Sequence, residues 1–179
     1  MNLVIVSQPK DPTTSLSGAL AKELANSLGG PTTILKIYDS KDGYFQYIFR
    51  QDWIDLLKTV EHIILPVPMW NFTIPAALKD FIDKVTKQGE IWDLDRRGNF
   101  IGLLKDRPVY IIMTAGGEYP EGSPLDYVVP YLKAVFSFMG IHNVRDFRVG
   151  NVTDSQKLIA DKKYFNTKVS AMFKAFQIA

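Results

Sequence analysis

No cysteine occurs in the chain, so disulfides, thiolate metal sites and cysteine nucleophiles are excluded. Charge of one sign is equally scarce. Against 21 Lys and Arg stand 19 Asp and Glu, a formal net charge of +2, too weak a field for nucleic-acid or anionic-membrane binding unless the charges cluster, and no cluster is visible. No apolar run approaches the roughly 20 residues that a membrane-spanning helix needs. The glycine-rich phosphate signatures G-x-x-x-x-G-K-[ST] and G-x-G-x-x-G are both missing. Met1-Asn2 leads straight into Leu3-Val4-Ile5-Val6, with no basic leader and no small-residue cleavage site. That start reads as a first strand and leaves the cytoplasm as the expected location.

What remains is an ordinary globular composition, 46% hydrophobic and 22% charged. Its 179 residues fit one domain over the whole chain, burying about 70% of the unfolded surface. Five short apolar runs rich in β-branched residues, at 3–6, 33–37, 62–67, 109–114 and 144–149, read as strands buried on both faces or nearly so. Helical spacing fills the intervals: Leu16, Leu20, Leu24 and Leu28; Ile54, Leu57 and Lys58; Leu78, Phe81, Ile82 and Val85; Leu132, Val135, Phe136 and Met139. A last helix is expected from Asp154, as N-cap, to Phe176. Strand and helix thus alternate five times, which specifies an α/β fold with one parallel sheet covered on both faces. Residues 89–106 interrupt the alternation, with Ile91, Trp92, Phe100 and Ile101 flanking a charged turn, and read as an inserted loop or hairpin.

Ligands of such open sheets bind beyond the carboxyl ends of the strands. Three segments lie there. After the first strand, Ser7-Gln8-Pro9-Lys10-Asp11-Pro12-Thr13-Thr14-Ser15-Leu16-Ser17 ends in hydroxyl residues where the first helix begins. One of them is explained as an N-cap. The helix has no carboxylate before Glu23 and no capping box, however, which leaves its positive end available to a single phosphate. After the third strand, Pro68-Met69-Trp70-Asn71-Phe72-Thr73-Ile74-Pro75 carries large apolar side chains in a loop. Either the aromatics cover the sheet edge, or they form a platform for a flat ring, with Asn71 offering a donor and an acceptor. Pro75 is expected to open the next helix and Thr73 to cap it. After the fourth strand, Thr114-Ala115-Gly116-Gly117-Glu118-Tyr119 holds a glycine pair that serves as a tight turn or lets backbone N–H groups reach a ring.

With Ile74-Pro75, Leu78-Lys79, Pro130-Tyr131-Leu132 and Phe138-Met139-Gly140-Ile141 added, these segments resemble the FMN-dependent NADH:quinone oxidoreductase and azoreductase family. The likeness runs from the first strand to about Gly150. It implies a flavodoxin-like fold with parallel strand order 2-1-3-4-5. It further implies an FMN phosphate among Ser15, Leu16, Ser17 and Ser7, an isoalloxazine bordered by Pro68, Met69, Trp70, Asn71 and Phe72, and a pyrimidine side at Thr114, Ala115, Gly116 and Gly117. Members are typically homodimers with active sites at the subunit interface. Two departures stand out: the segment from Ser7 to Thr14 aligns only with one residue inserted, and the stretch from Tyr38 to Val60 is shorter than the family's.

The resemblance implies a ping-pong oxidoreductase in which NADH or NADPH reduces FMN and a quinone or azo compound removes two electrons. Trp70 and Tyr119 are the candidates for stacking on either partner. The flavin carries the chemistry, so no acid or base is required. His62 and His142 start, or precede, the third and fifth strands, away from the crevice, and read as structural. Arg96-Arg97 and Lys162-Lys163 read as solvated surface, and Asp93 with Asp95 as turn chemistry and not a metal site. The alternatives are a flavodoxin-type one-electron carrier and a flavin-free relative that kept the fold.

Overall fold

The structure, a computed structural model, describes residues 1–9, 11–39 and 49–178. Lys10 and residues 40–48 lie outside the described residues, and so does that part of the shortened Tyr38-to-Val60 stretch. Seven strands are present among the described residues: β1 (Asn2–Val6), β2 (Thr32–Lys36), β3 (His62–Pro68), β4 (Trp92–Leu94), β5 (Phe100–Gly102), β6 (Val109–Thr114) and β7 (Val144–Val149). The helices are α1 (Leu16–Leu28), α2 (Gln51–Thr59), α3 (Ala76–Val85), α4 (Val129–Phe138), α5 (Ser155–Ala160) and α6 (Lys162–Phe176). β1, β2, β3, β6 and β7 form one parallel sheet in the order β2-β1-β3-β6-β7, the expected order once the inserted strands are skipped.

Alternation along the strands divides the core into two layers, because successive side chains leave opposite faces of the pleat. Leu3, Ile5, Ile63, Leu65, Val67, Val109, Ile111 and Met113 pack with α2, α3 and α4, while Val4, Val6, Ile64, Tyr110 and Ile112 pack with α1 and α6. Each fully buried aliphatic side chain contributes about 1.5–3 kcal/mol of transfer free energy. Burial on both faces holds for the three inner strands only. β2 and β7 are edges, half-open to solvent, and Ile34 of β2 is exposed.

Two local expectations need correction. The last helix is broken into α5 and α6, because Asp161 leaves helical geometry and its carboxylate accepts from Tyr164 N as a fresh N-cap. Asp154 does cap α5, accepting from Gln156 N and Lys157 N. Thr73 does not cap α3: Pro75 occupies the N-cap position without a side-chain bond, and the helix starts at Ala76.

Residues 89–106 form a hairpin, β4 antiparallel to β5. Asp95 accepts from Arg97 N and Asn99 N and so closes the turn, as expected of turn chemistry, and the described residues hold no group of side chains suited to a metal ion. The hairpin is pinned backbone to backbone. A Cβ on Gly102 would fall 2.0 Å from Gly140 N, and Leu104 N donates to Met139 O at the end of α4. Around this contact Trp92, Phe100 and Phe138 pack with centroids 5.3–5.5 Å apart. Among the described residues, no helix is long and apolar enough to cross a membrane.

Glu90, just before the hairpin, ties it to α2 by accepting from Lys58 Nζ, Gln51 Nε2 and Lys87 Nζ at 2.6–2.7 Å. These bonds, that from Lys58 first, pull its carboxyl from the ordinary 4.5 to about 2. The folded value lies below the unfolded one, so the stabilisation is complete above pH 4.5 and is lost as pH falls toward 2. An NMR titration of the Glu90 carboxyl carbon should give a midpoint near 2 in the wild type and a return toward 4.5 in Lys58→Met.

Candidate functional site

At the carboxyl edge of the sheet the ladder continues into the loops. Met69 N donates to Thr114 O at 2.8 Å, Ala115 N to Val149 O at 3.0 Å, and Val152 N to Ala115 O at 2.9 Å. The loops after β3, β6 and β7 are thereby held side by side, and the loop after β1 joins them through α1. Two adjoining cavities open between these loops. The larger, about 300 Å³, is walled by Gln8, Pro9, Thr14 and Ser15 on one side and by Pro68, Met69, Trp70, Thr114, Ala115, Gly116, Val152 and Ser155 on the other. A smaller one, about 220 Å³, is lined by Met69, Asn71, Phe72, Ala115, Gly116, Gly117 and Tyr119. Met69, Ala115 and Gly116 belong to both, so the two form one elongated crevice with a hydroxyl-rich end and an aromatic end.

The hydroxyl end begins where α1 starts. Ser15 is its N-cap, accepting from Gly18 N at 3.2 Å and from Gln8 Nε2 at 2.6 Å. Capping is therefore real, yet it does not use up the local polar groups. Ser7 and Ser17 are 2% and 1% exposed, and their hydroxyl oxygens have no hydrogen-bond partner among the described residues. A buried hydroxyl left unmade costs about 1–3 kcal/mol, so two of them beside a helix N-terminus without an acidic first turn point to an absent acceptor. Leu16 contributes only backbone here, since its side chain is in the core between sheet and α1.

The aromatic end rests on a two-residue turn. Trp70 and Thr73 exchange both backbone hydrogen bonds, at 2.9 and 3.1 Å, and the residues between them, Asn71 and Phe72, have φ of 48° and 70°. Asn is at ease in that region, but a bulky aromatic is not. Trp70 is 47% and Phe72 44% exposed, so these rings do not seal the sheet edge; they border the crevice. Tyr119 lies edge-on to Phe72, with centroids 6.3 Å apart.

The glycine pair divides its work. A Cβ on Gly117 would meet the Tyr119 ring at 3.3 Å, whereas one on Gly116 would enter open space where both cavities meet. Clearance over the crevice therefore belongs to Gly116, and Gly117 makes room for Tyr119. The sequence reading did not name Gln8, Pro9, Thr14, Val152 or Ser155 as site residues, and of those it did name, Ser7, Leu16 and Ser17 line neither cavity. Val152 sits on the loop after β7 and Ser155 opens α5, beyond a carboxyl end that the rule already covered; Gln8 carries no motif of its own. Among the described residues, none lining either cavity bears an ionisable acid, base or histidine, apart from the Tyr119 phenol. The arrangement can bind and orient a ligand.

The strain in the turn is measurable. Phe72→Gly and Phe72→Ala lose the same ring, yet the glycine variant should be the more stable in urea unfolding by about 1 kcal/mol, because only alanine retains the cost of a left-handed backbone. The opposite order would mean that the turn is not left-handed in solution.

Comparison with known proteins agrees with this geometry. A family model described as a flavodoxin-like fold matches residues 1–169. An FMN-dependent NADH:quinone oxidoreductase 2 of Hahella chejuensis is 33% identical over 103 residues, 56% of this chain and 51% of that protein. An FMN-dependent NADH:quinone oxidoreductase of Shewanella putrefaciens is 42% identical over 88 residues, 49% and 43% of the two chains. The chain spans about half the length of the curated relatives it matches. Among solved structures, an FMN-dependent NADH-azoreductase from Bacillus anthracis in complex with FMN superposes with a TM-score of 0.71 at 25% identity, covering 97% of each chain. Another azoreductase from the same species reaches 0.76 at 15% identity, covering 98% of this chain and 97% of its own, and speaks for the fold alone.

Proposed function

The chain belongs to the family defined by the flavodoxin-like fold, and from that premise we propose that it is an FMN-dependent NAD(P)H oxidoreductase that reduces quinones or azo compounds by two electrons. The observation that carries this reading is the pair of buried hydroxyls of Ser7, directly after β1, and Ser17, in the first turn of α1, neither partnered among the described residues, together with a crevice lined by Thr14 and Ser15 that continues to an aromatic end. The residues present fit a monophosphorylated flavin. Ser7, Ser15 and Ser17, with the backbone of Leu16, would hold the phosphate at the positive end of α1. Pro68, Met69, Trp70, Asn71 and Phe72 would border the ring system, and Thr114, Ala115, Gly116 and Gly117 its pyrimidine side. Names of the relatives, and one neighbour's complex with FMN, support the same group and NADH as donor.

FMN, when bound, supplies the electron-transfer chemistry. The chain's own residues then have three tasks. Hydroxyl and backbone donors would hydrogen-bond the phosphate, with no charged side chain among the described residues of the cavity wall. The 70–73 turn fixes the angle at which Trp70 and Phe72 meet the ring, and Gly116 keeps its approach clear. Trp70 and Tyr119 offer faces on which an electron-poor aromatic can stack, which excludes water from the reacting side. The exposed apolar residues Phe100, Ile101 and Leu103 on the hairpin, and Leu125 and Tyr127 near the crevice, support a homodimer. Small aromatic oxidants in the cytoplasm, and not nucleic acid or membranes, are the partners that a net charge of +2 favours.

Two measurements decide the matter. The purified protein, supplemented with FMN, should show a flavin absorption spectrum that NADH bleaches within the mixing time of a stopped-flow experiment and a quinone restores. A flavin band that NADH leaves untouched would identify a one-electron carrier, and a protein that stays colourless would end the flavin reading. In the second, Gly116→Val should weaken FMN binding at least tenfold, the equivalent of about 1.4 kcal/mol, in a fluorescence titration. Gly117→Val should act less, through Tyr119.

A further inference from the structure

The loop after β6 does not hold itself in place at the crevice. Its glycines supply no side chains, and the ladder bonds of Ala115 end before Gly116. The next side chain, Glu118, turns away from both cavities and reaches across to the loop after β7, where its Oε1 accepts from Asn151 Nδ2 at 2.6 Å. Two features of that loop are shaped to receive it. Gly150 has no side chain, and a Cβ there would fall 2.7 Å from Glu118 Cδ, Glu118 Oε2 and Gly117 O alike. Asn151 adopts φ of 56°, the left-handed conformation that turns its amide toward the carboxylate. The residue after it, Val152, donates its N–H to Ala115 O and lines the larger cavity.

We infer that Glu118 and Asn151 form a clasp that sets the position of Gly116 and Gly117 at the crevice, so that Glu118 is a positioning residue for the ring end of the bound ligand. This rests on the proposed flavin site, because the ring is what the positioned backbone would meet. The clasp joins two segments that already share a short ladder, so it governs orientation at the glycines and leaves the phosphate end, on the other side of the crevice, unaffected. What the bond requires of Glu118 is an acceptor oxygen at the end of a two-carbon stem; a negative charge is not required.

The test uses the full chain freed of flavin, titrated by quenching of flavin fluorescence with FMN and with riboflavin, which has the ring and no phosphate, and with inorganic phosphate as competitor against FMN. Glu118→Ala and Asn151→Gly should each weaken both flavins up to about tenfold, the worth of one ordinary hydrogen bond. Glycine keeps the left-handed backbone at 151 and removes only the amide. The double variant should lose no more than either single one, since both remove the same contact. Glu118→Gln, which retains the acceptor, should bind like the wild type, and the inhibition constant of inorganic phosphate should be the same in every variant. Unchanged flavin affinity in Glu118→Ala, additive losses, a Glu118→Gln as weak as Glu118→Ala, or a parallel loss of phosphate competition would each overturn the clasp. A wild-type chain that binds neither flavin would instead overturn the proposed function, and the clasp's role with it.

Discussion

The crevice depends on parallel strand pairing that does not stop where the strands do. Met69, Ala115 and Val152 each give a backbone N–H to a carbonyl of a neighbouring segment just past the end of the sheet. Loops that would otherwise be independent thereby inherit the rigidity and spacing of the ladder, roughly 4.8 Å from one to the next. Every contact attributed to the site is referred to that frame: the left-handed turn at Asn71 and Phe72, the opening over Gly116, and the side chain of Val152.

A second constraint is electrical. Among the described residues the wall of the larger cavity carries no charged side chain, so the positive end of α1 and a set of neutral donors are what they offer to an anion there. Neutral, pre-oriented donors lose little of their effect to dissolved salt when buried, unlike exposed ion pairs.

The inner sheet was legible in the sequence almost to the residue, because a strand buried on both faces must be a short, continuous β-branched run; 109–114 was bounded as observed, and 3–6 and 62–67 each fell one residue short of the strand. The edges were less so. At β2 and β7 the same kind of run is half exposed, and nothing in composition separates an edge from a centre. The break at Asp161 escaped notice since it needs no glycine or proline, only a carboxylate that starts a new helix where the old one could have continued. In the site, the loops after β1, β3 and β6 were found through composition, but the loop after β7 is plain and its part came from pairing with Ala115. Which of two adjacent glycines faces the crevice depends on the direction of a missing Cβ, a quantity with no trace in the order of residues.

The contact between Gly102 and Gly140 has a consequence for how this surface can change. Main chain rests on main chain there, with Cβ positions already overlapping neighbouring backbone. The β4–β5 hairpin is therefore located by atoms that every amino acid shares. Its outward residues, among them Phe100 at 66% exposure, are free to be exchanged without shifting the peg that bears them. A lineage, or an experimenter, could rewrite the chemical identity of that protrusion one residue at a time while its address on the molecule stays the same.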